Sequence, residues 1–316
     1  MTVYDCCPFL NENDIYEIRI NQHWDYVDRF IVTEAGETHT GLKKPFNFDL
    51  ERFEKYKSKL VYVKIDTFRN QMERHPDLLD VYSVHDRSAM GQTTEDWIRD
   101  HFQGNSFVKT LRHLGAQDDD IIYNGAVDEI LTHKGWEEGL KRFEPKDTLY
   151  SLKSSLPDLK MAGAHTDLVY RPMFGFMLDM YAYKFNLFSA TISAGQMCEY
   201  GDLKKILPGT ARALCMSTHS SIENGGWHFT FMDNTEGEKV LTKQRSWAHS
   251  RDRLPGQQPK WEHTSVEEAL ARLELDYDTM HREITPETHP QYLIDNLDKY
   301  KDYILDVKYP MTIKKG

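Results

Sequence analysis

Short apolar runs alternate with amphipathic stretches through the first 130 residues of the chain. Runs of this length predict buried strands, and they lie at 2–9, 29–34, 60–65 and 120–123. Between them, apolar positions recur at helical spacing and predict helices at 11–21, 53–59 and 94–115, the last of which stops at Gly115. Alternating strands and helices are typical of a parallel sheet covered by helices. The pattern therefore predicts an α/β fold with a mostly parallel central sheet flanked by helices.

The second half of the chain is less regular. Its apolar segments predict strands at 179–187, 190–193 and 226–232, a helix at 265–276 and a partly helical tail. The segment 255–259 contains a glycine and two prolines that interrupt regular structure, so we expect a domain boundary there. This boundary predicts one catalytic domain over 1–255 and a helical extension over 256–316. Residues 66–91 are polar and irregular, which predicts a loop.

The composition suits a folded protein with a large core, because 40% of the residues are hydrophobic and 12% are aromatic. The formal net charge of −11 opposes binding to nucleic acid, which depends largely on Lys and Arg. The four cysteines form no C-x-x-C pair, which argues against a zinc ribbon and favours buried free thiols. Neither a signal peptide nor an apolar stretch of about 20 residues is evident, so we expect a soluble, cytoplasmic protein.

Carboxylates follow two of the predicted strands directly. Asp128 and Glu129 come shortly after the strand at 120–123, and Glu34 ends the strand at 29–34. The carboxyl ends of parallel strands meet at the edge where an open α/β sheet binds its ligand. These acids therefore predict a ligand site at that edge. The alternative is that they are solvated acids at the ends of strands.

A series of short motifs extends over most of the chain in a fixed order. The motifs are Asp5-Cys6, Phe9, Asn11-Glu12, Arg19, Val27-Asp28, Thr38-His39-Thr40-Gly41, Lys44-Pro45, Arg52-Phe53, Trp97 to Gln103, Asp128-Glu129-Ile130, Gly226-Trp227-His228-Phe229 and Lys243 to His249. The series resembles glycosyltransferase family 17, the β-1,4-N-acetylglucosaminyltransferases that add the bisecting residue to N-glycans, and their microbial and viral relatives. The resemblance covers about residues 3–250 and is strongest at 3–53 and 225–249.

The resemblance implies a GT-A fold and an inverting transfer of a hexose or N-acetylhexosamine from a nucleotide sugar, with UDP-GlcNAc as the first candidate. It assigns the nucleotide sugar to about residues 1–130 and the acceptor to about 131–255. It also implies a divalent metal, Mn²⁺ or Mg²⁺, on the donor diphosphate. The chain departs from the family's Asp-x-Asp-Glu-Ile motif, since Ala126 replaces the first Asp, and Gly104 replaces the Arg of Gln-Arg-Asn. The first change weakens the implied metal site. The second changes the implied phosphate or sugar contacts, so the donor sugar can differ.

Individual site roles rest mainly on this resemblance. The expected metal ligands are Asp128 and His249. The residues expected to bind the donor are Phe9, Asn11, Glu12, Glu34, Thr40, Lys44, Arg99 and Trp227. An inverting transfer needs one general base for the acceptor hydroxyl. Glu199 ranks narrowly first for this role, and the other candidates are His228, Asp202 and Glu223.

Several of these residues also have a structural interpretation. Asn11 can cap the helix that follows it. Arg99 can pair with Asp96 or Glu95 on its own helix. Trp227 can be a core residue of a strand.

Other functions remain open from the sequence. A glycan-binding protein of the same fold would fit the loss of an acid at Ala126, and a transferase acting on modified phage DNA bases would conflict only with the negative charge. A nucleotidyltransferase is disfavoured, because residues 8–13 do not form a glycine-rich phosphate loop. The expected partners are a nucleotide sugar and a glycan or small-molecule acceptor.

Overall fold

The computed structural model describes residues 1–79, 92–144, 150–151, 169–170, 172–216, 221–252 and 262–306. The strands in these ranges are β1 (Val3–Phe9), β2 (Arg29–Ala35), β3 (Leu60–Ile65), β4 (Ile121–Asn124), β5 (Glu129–Leu131), β6 (Tyr150–Ser151), β7 (Val169–Tyr170), β8 (Phe174–Ala182), β9 (Leu187–Glu199), β10 (Ile222–Thr230) and β11 (Met280–His281). The α-helices are α1 (Asn13–His23), α2 (Phe68–Arg74), α3 (Thr94–His113), α4 (His133–Lys141), α5 (Tyr200–Ile206), α6 (Pro208–Met216), α7 (Glu238–Ser246), α8 (Val266–Asp276) and α9 (Gln291–Asp295). Short 3₁₀ turns lie at Glu54–Tyr56, Pro76–Leu78, Ala248–Arg251 and Lys301–Tyr303.

The predicted strands and long helices of the first half are confirmed to within two residues at each end. Helix α3 stops as expected, and Gly115 just beyond it adopts a positive φ of 78°. The helix expected at 53–59 is only a 3₁₀ turn. Part of the expected loop at 66–91 is helix α2, which Thr67 caps by accepting a hydrogen bond from the Asn70 amide. Residues 80–91 of that loop lie outside the described residues.

The main sheet is mixed, so the prediction of a mostly parallel sheet is wrong. Its strands are ordered β3-β2-β1-β4-β9-β8-β10-β5, with β11 paired to β9. The first four strands of this order are parallel, as predicted, and β8 is parallel to β10. Strand β9 is antiparallel to both β4 and β8, and β5 is antiparallel to β10. The turn between β8 and β9 is too short for a crossover, so these neighbours must form a hairpin.

Helices cover both faces of the sheet. Alternate residues of β1 point to opposite sides. Cys7 and Phe9 pack in one core with Tyr16 of α1, whereas Cys6 packs in a second core with Phe102 and other residues of α3. The expected buried free thiols are confirmed at Cys6 and Cys7 and also at Cys198. Since the two cores fix β1 from both sides, the segment that follows β1 at the carboxyl edge has a defined position.

The end of the chain packs against the same sheet. Helix α8 packs against α7, and Tyr300 and Tyr303 join a core with Ile15 of α1 and Trp227 of β10. The expected boundary at 255–259 lies outside the described residues. Within the described ranges, no helix is both long and apolar enough to cross a membrane.

Candidate functional site

Segments far apart in the chain meet at the carboxyl edge of the parallel strands. Asp128 lies in the turn between β4 and β5, and its carbonyl oxygen accepts a hydrogen bond from the Phe229 amide at 2.9 Å. Strand β5 then places Glu129 opposite His228 of β10. The sequence-predicted acid at 128 therefore lies beside the predicted base at 228.

The Asp128 carboxylate is buried and contacts one lysine and one histidine. It is 3% exposed. Its Oδ2 accepts a hydrogen bond from Lys243 Nζ at 2.7 Å, and its Oδ1 lies 3.4 Å from His228 Nε2. Burial alone would raise the pKa of Asp128, but Lys243 and His228 outweigh it and hold the pKa well below its usual range. Asp128 is therefore a permanent anion that orients one lysine and one histidine.

A small pocket opens beside Lys243. Its polar lining comes from Asn11 and Glu12 after β1, from Asp14 of α1, from Lys239 and Lys243 on α7, and from Tyr303. Phe229 is one of its apolar walls. The two lysines are four residues apart and so share one face of α7. Burial lowers the pKa of Lys243, but Asp128 and Glu12 outweigh it and the net shift is upward, which keeps the ammonium charged.

A buried network fixes the turn that carries Asp128. Arg19 of α1 is fully buried, and its guanidinium binds the Asp5 carboxylate of β1 and donates to the carbonyl oxygens of Ala126 and Glu129 at 2.5 and 2.8 Å. His23 Nε2 accepts from the Leu131 amide at 2.8 Å, so its Nδ1 carries the proton that bonds Asp5 at 2.7 Å. The turn is thus clamped to α1 on both sides of Asp128.

Glu129 helps to anchor the same turn. Its carboxylate forms a two-pronged ion pair with Arg212 of α6 and also accepts a hydrogen bond from the Ala126 amide at 2.9 Å. Arg212 lowers the pKa of Glu129 against the effect of burial. The Glu129 side chain therefore holds the turn, whereas the Asp128 side chain faces Lys243.

The loop at 38–44 packs between α3 and the last residues of α7. Thr40 is buried and donates to the carbonyl oxygen of Arg245 at 2.8 Å, and the His39 amide donates to the carbonyl oxygen of Ser246. Arg99 donates to the His39 carbonyl oxygen at 2.9 Å and pairs with Asp96 at 3.2 Å. The alternative interpretation of Arg99 as a partner of Asp96 is therefore the one that the contacts favour.

Glu34 is an internal anchor in this structure. Its fully buried carboxylate accepts from Lys44 Nζ at 2.5 Å, from the Asn47 and Phe48 amides, and from the Tyr62 hydroxyl at 2.6 Å. These contacts use both oxygens and also engage Lys44. A donor contact from either Glu34 or Lys44 would have to replace one of these bonds.

Phe9 and Trp227 belong to the core. Phe9 packs edge-on against Phe48 with ring centroids 5.1 Å apart. Trp227 is buried, and its indole N–H donates to the Thr288 carbonyl oxygen at 2.7 Å. The adjacent glycine serves strand packing, since a Cβ on Gly226 would lie 2.1 Å from the Ile130 carbonyl oxygen. The core interpretation of Trp227 thus accounts for its contacts.

The base candidates lie at opposite edges of the sheet. Glu199 ends β9 opposite Ile121, the first residue of β4, so it lies at the amino edge, away from Asp128. Asp202 follows it in α5. Glu223 lies near the start of β10, whereas His228 lies near its carboxyl end. His228 is therefore the candidate that the fold brings to the Asp128 turn.

The residues present do not fit the implied metal. His249 pairs with Asp252 at 2.5 Å and packs edge-on against Trp97, so its contacts lie on the α3 side of the fold. Ala126 supplies no oxygen ligand from its side chain, and both Asp128 oxygens face cationic or N–H groups. Across the described ranges, no three His, Cys, Asp or Glu side chains are grouped as metal ligands. A divalent cation such as Mg²⁺ can be held by one or two carboxylates together with substrate phosphates and water, but the Asp128 carboxylate is already paired with Lys243.

Sequence reasoning assigned no role to Lys243, Arg19 or Arg212. Arg19 carried a usable signal, because it lies between Ile18 and Ile20 on a helix whose buried face needs a partner for any charge. Lys243 begins one of the motifs of the family resemblance, but its residue type gave no sign of burial, since a lysine on an amphipathic helix is usually solvated.

Residues 1–137 match the model of glycosyltransferase family 17. The matched region contains Asp5, Arg19 and the whole turn from Ala126 to Glu129. His228 and Lys243 lie beyond it. No curated protein matches the chain.

Proposed function

We propose that this chain, whose residues 1–137 match the model of glycosyltransferase family 17, is a glycosyltransferase that transfers a hexose or N-acetylhexosamine from a nucleotide sugar to a hydroxyl group of a glycan or related acceptor. The transfer inverts the anomeric centre within a GT-A-type arrangement. UDP-GlcNAc is the first candidate donor. The observation that supports the proposal most strongly is the Asp128 carboxylate, which contacts Lys243 and His228 at the carboxyl edge of the sheet.

The pocket beside Lys243 is the proposed place of the diphosphate end of the donor. Its enclosed volume is about 20 Å³, room for about one water molecule, so the rest of the donor would lie at its mouth. Asn11 and Glu12 offer hydrogen-bonding groups there, as a ribose or a base requires. Among the described residues, no hydrogen bond is made by the Asn11 carboxamide, so both its donor and its acceptor are available to a ligand. Glu12 already bonds the Leu10 and Asn11 amides at 2.9 Å and so shapes the segment itself.

His228 is the proposed general base. Its Nε2 faces Asp128, which favours the tautomer with the proton on Nε2 and leaves Nδ1 as the acceptor. Within the described part of the chain, His228 Nδ1 is buried and has no hydrogen-bond partner, so the site must open locally for an acceptor hydroxyl to reach it. In the transfer, the acceptor oxygen forms a bond to the anomeric carbon while its proton passes to Nδ1, and the bond from that carbon to the diphosphate breaks with its electron pair. Asp128 would stabilise the imidazolium that forms, as the acid does in a catalytic triad.

A donor survey tests this proposal. The full chain would be incubated with UDP-, GDP-, dTDP- and ADP-linked hexoses and N-acetylhexosamines, with and without a mixture of oligosaccharide acceptors. Release of the nucleoside diphosphate is expected from one donor class, with UDP-GlcNAc first, and it should increase when an acceptor is added. Binding of oligosaccharides without turnover of any donor would instead support a glycan-binding protein of the same fold.

A further inference from the structure

Lys243 occupies the position at which a metal ion would have to contact Asp128. The Lys243 ammonium lies 2.7 Å from Asp128 Oδ2, and a divalent cation bound to the same oxygen would meet this positive charge at contact distance. The neighbouring acid that could hold such an ion is absent, because position 126 is alanine. The countercharge for a bound diphosphate must therefore come from another source on this side of the pocket.

We propose that the Lys243 ammonium itself, rather than a divalent metal, binds the diphosphate of the donor and neutralises the charge that develops as it departs. This inference rests on the proposed function, since it requires a nucleoside diphosphate as the leaving group. It assigns Lys243 as a substrate-binding residue and describes a transferase whose donor binding does not depend on metal.

The geometry of Lys243 suits this role. Its side chain is 17% exposed and lines the pocket, so it is both accessible to a ligand and largely shielded from water. An ammonium group has three N–H donors, and the hydrogen bond to Asp128 uses one of them. Asp128 fixes the position of the nitrogen without consuming its remaining donors. A preorganised positive charge in a partly desolvated site stabilises developing negative charge more than a mobile surface lysine does.

Lys239 adds a second positive charge on the same side of the pocket. It lies one helical turn before Lys243, donates to the Tyr303 hydroxyl at 2.6 Å and lies 3.6 Å from Asp14. Asp14 also pairs with Arg52 at 2.8 Å, so its negative charge is shared between two cations. The pocket is therefore lined by two lysines of α7 beside two acids, Glu12 and Asp14. Lys243 is the lysine that is held by the Asp128 turn.

The charge flow of the transfer is consistent with this assignment. When the bond between the anomeric carbon and the diphosphate oxygen breaks, its electron pair remains on that oxygen. The terminal phosphate gains negative charge, which the Lys243 ammonium compensates. The proton of the acceptor hydroxyl passes to His228, which contacts the other oxygen of the same carboxylate. The step needs no oxidant, reductant or further reactant.

Nucleotide binding measured by calorimetry tests the inference directly. The full chain would be titrated with UDP in EDTA and again with Mn²⁺ in place of EDTA. UDP is expected to bind in EDTA, and added Mn²⁺ should change its affinity by less than about threefold, since a true metal bridge typically contributes much more. Lys243→Met should weaken UDP binding by about tenfold to a hundredfold, the range for the loss of a charged hydrogen bond. The same substitution should weaken the binding of UMP less than that of UDP, because UMP lacks the terminal phosphate.

Two further variants separate binding from folding. The double variant Asp128→Asn with Lys243→Met removes both charges, so it leaves no buried carboxylate unpaired, and it should fold yet bind UDP as weakly as Lys243→Met. Lys204→Met is the matched control, because Lys204 pairs with Asp118 away from the pocket and its loss should leave UDP affinity unchanged. UDP binding that requires Mn²⁺, or that survives Lys243→Met, would overturn the inference while leaving the proposed function intact. Absence of binding for UDP, GDP, dTDP and ADP under both conditions would overturn the proposed function itself.

Discussion

Asp128 and Lys243 are separated by 115 positions in the chain, yet they form a buried ion pair of 2.7 Å. Asp128 lies within the region that matches the family model, and Lys243 lies far beyond it. The second half of the chain therefore completes a site whose acid comes from the first half. Helix α7, which carries Lys243, also contacts the loop at 38–44 through Arg245 and Ser246. Helix α7 thus adjoins both groups of residues that the sequence predicts to bind the donor: it lines the pocket together with Asn11 and Glu12, and it contacts the loop at 38–44.

Substitution of His228 tests its role as the base. His228→Gln should lower kcat by about a hundredfold to ten-thousandfold, the usual contribution of a general base, and should leave donor affinity nearly unchanged. Steady-state kinetics and calorimetric titration with the donor measure the two effects.

Glu199→Gln should retain near wild-type kcat, because Glu199 lies at the amino edge of the sheet. His133→Gln is the matched control, since His133 is an exposed residue that bonds the Tyr26 hydroxyl. A larger loss of kcat in Glu199→Gln than in His228→Gln would exchange the two assignments.

Removal of Arg19 should destabilise the whole protein. Arg19→Met leaves the Asp5 carboxylate buried with only His23 as a partner and releases two carbonyl oxygens of the Asp128 turn. The expected loss of unfolding free energy is about 3–5 kcal/mol, as for other broken buried ion pairs, and urea denaturation would measure it. Arg69→Met removes an exposed pair with Glu73 and should change stability by less than about 1 kcal/mol. Equal effects of the two substitutions would show that the Arg19 network does not support the fold.

The Asp5 network also predicts a dependence of stability on pH. Burial raises the pKa of Asp5, but Arg19 and His23 outweigh it and lower the pKa from 3.8 to about 2. Because the folded protein holds the proton less tightly than the unfolded chain, this group stabilises the fold above about pH 4 and loses that contribution as the pH falls towards 2. The shift corresponds to about 2 kcal/mol.

Comparison with Asp5→Asn isolates this contribution. Urea unfolding of the wild type and of the variant at pH 7, 5, 4 and 3 should give a stability difference that is constant at the two higher values and shrinks below pH 4. A difference that stays constant down to pH 3 would mean that the Asp5 carboxylate is not stabilised in the folded protein.

Two glycine substitutions should act in opposite directions. A Cβ on Gly226 would lie 2.1 Å from the Ile130 carbonyl oxygen, so Gly226→Ala must separate β10 from β5. We expect the free energy of unfolding to fall by about 1–3 kcal/mol, as for other overpacked sites, and activity to fall as well, since β5 begins next to Asp128.

Gly104 lies within α3, and a Cβ there would meet no atom within 4 Å. Gly104→Ala should therefore raise the unfolding free energy by about 0.5–1 kcal/mol. Thermal unfolding of both variants gives the signs, and a stabilised Gly226→Ala protein would refute the packing argument.

The first half of the fold was accessible from the sequence because its strands are short apolar runs and α3 is strongly amphipathic. The parallel order of β3, β2, β1 and β4 followed from their alternation with helices. The long antiparallel pair of β8 and β9 was only partly predicted. In β8, Phe174, Phe176 and Leu178 alternate into one core, but the half-buried Met177 between them is also apolar and obscures that period of two. Pairing direction depends on turn length and long-range contacts, which local patterns do not contain.

The site could be predicted only at its acid and its histidine. Asp128 and His228 lie at strand positions that the pattern located, and the register of β5 and β10 brings them together. Arg99, Glu34 and Trp227 are polar or aromatic residues near the same edge, but their partners come from loops and from the end of the chain. Since those contacts span many residues, spacing along the sequence could not separate a ligand contact from an internal anchor.

The position of a bound diphosphate tests the central claim most directly. A crystal structure of the full chain with UDP should show the terminal phosphate within hydrogen-bond distance of Lys243 Nζ, with the nucleoside near Asn11 and Glu12 and with Asp128 still bonded to Lys243. A diphosphate bound at the amino edge near Glu199, or one bound at the Asp128 turn through a metal ion that displaces Lys243, would contradict the account.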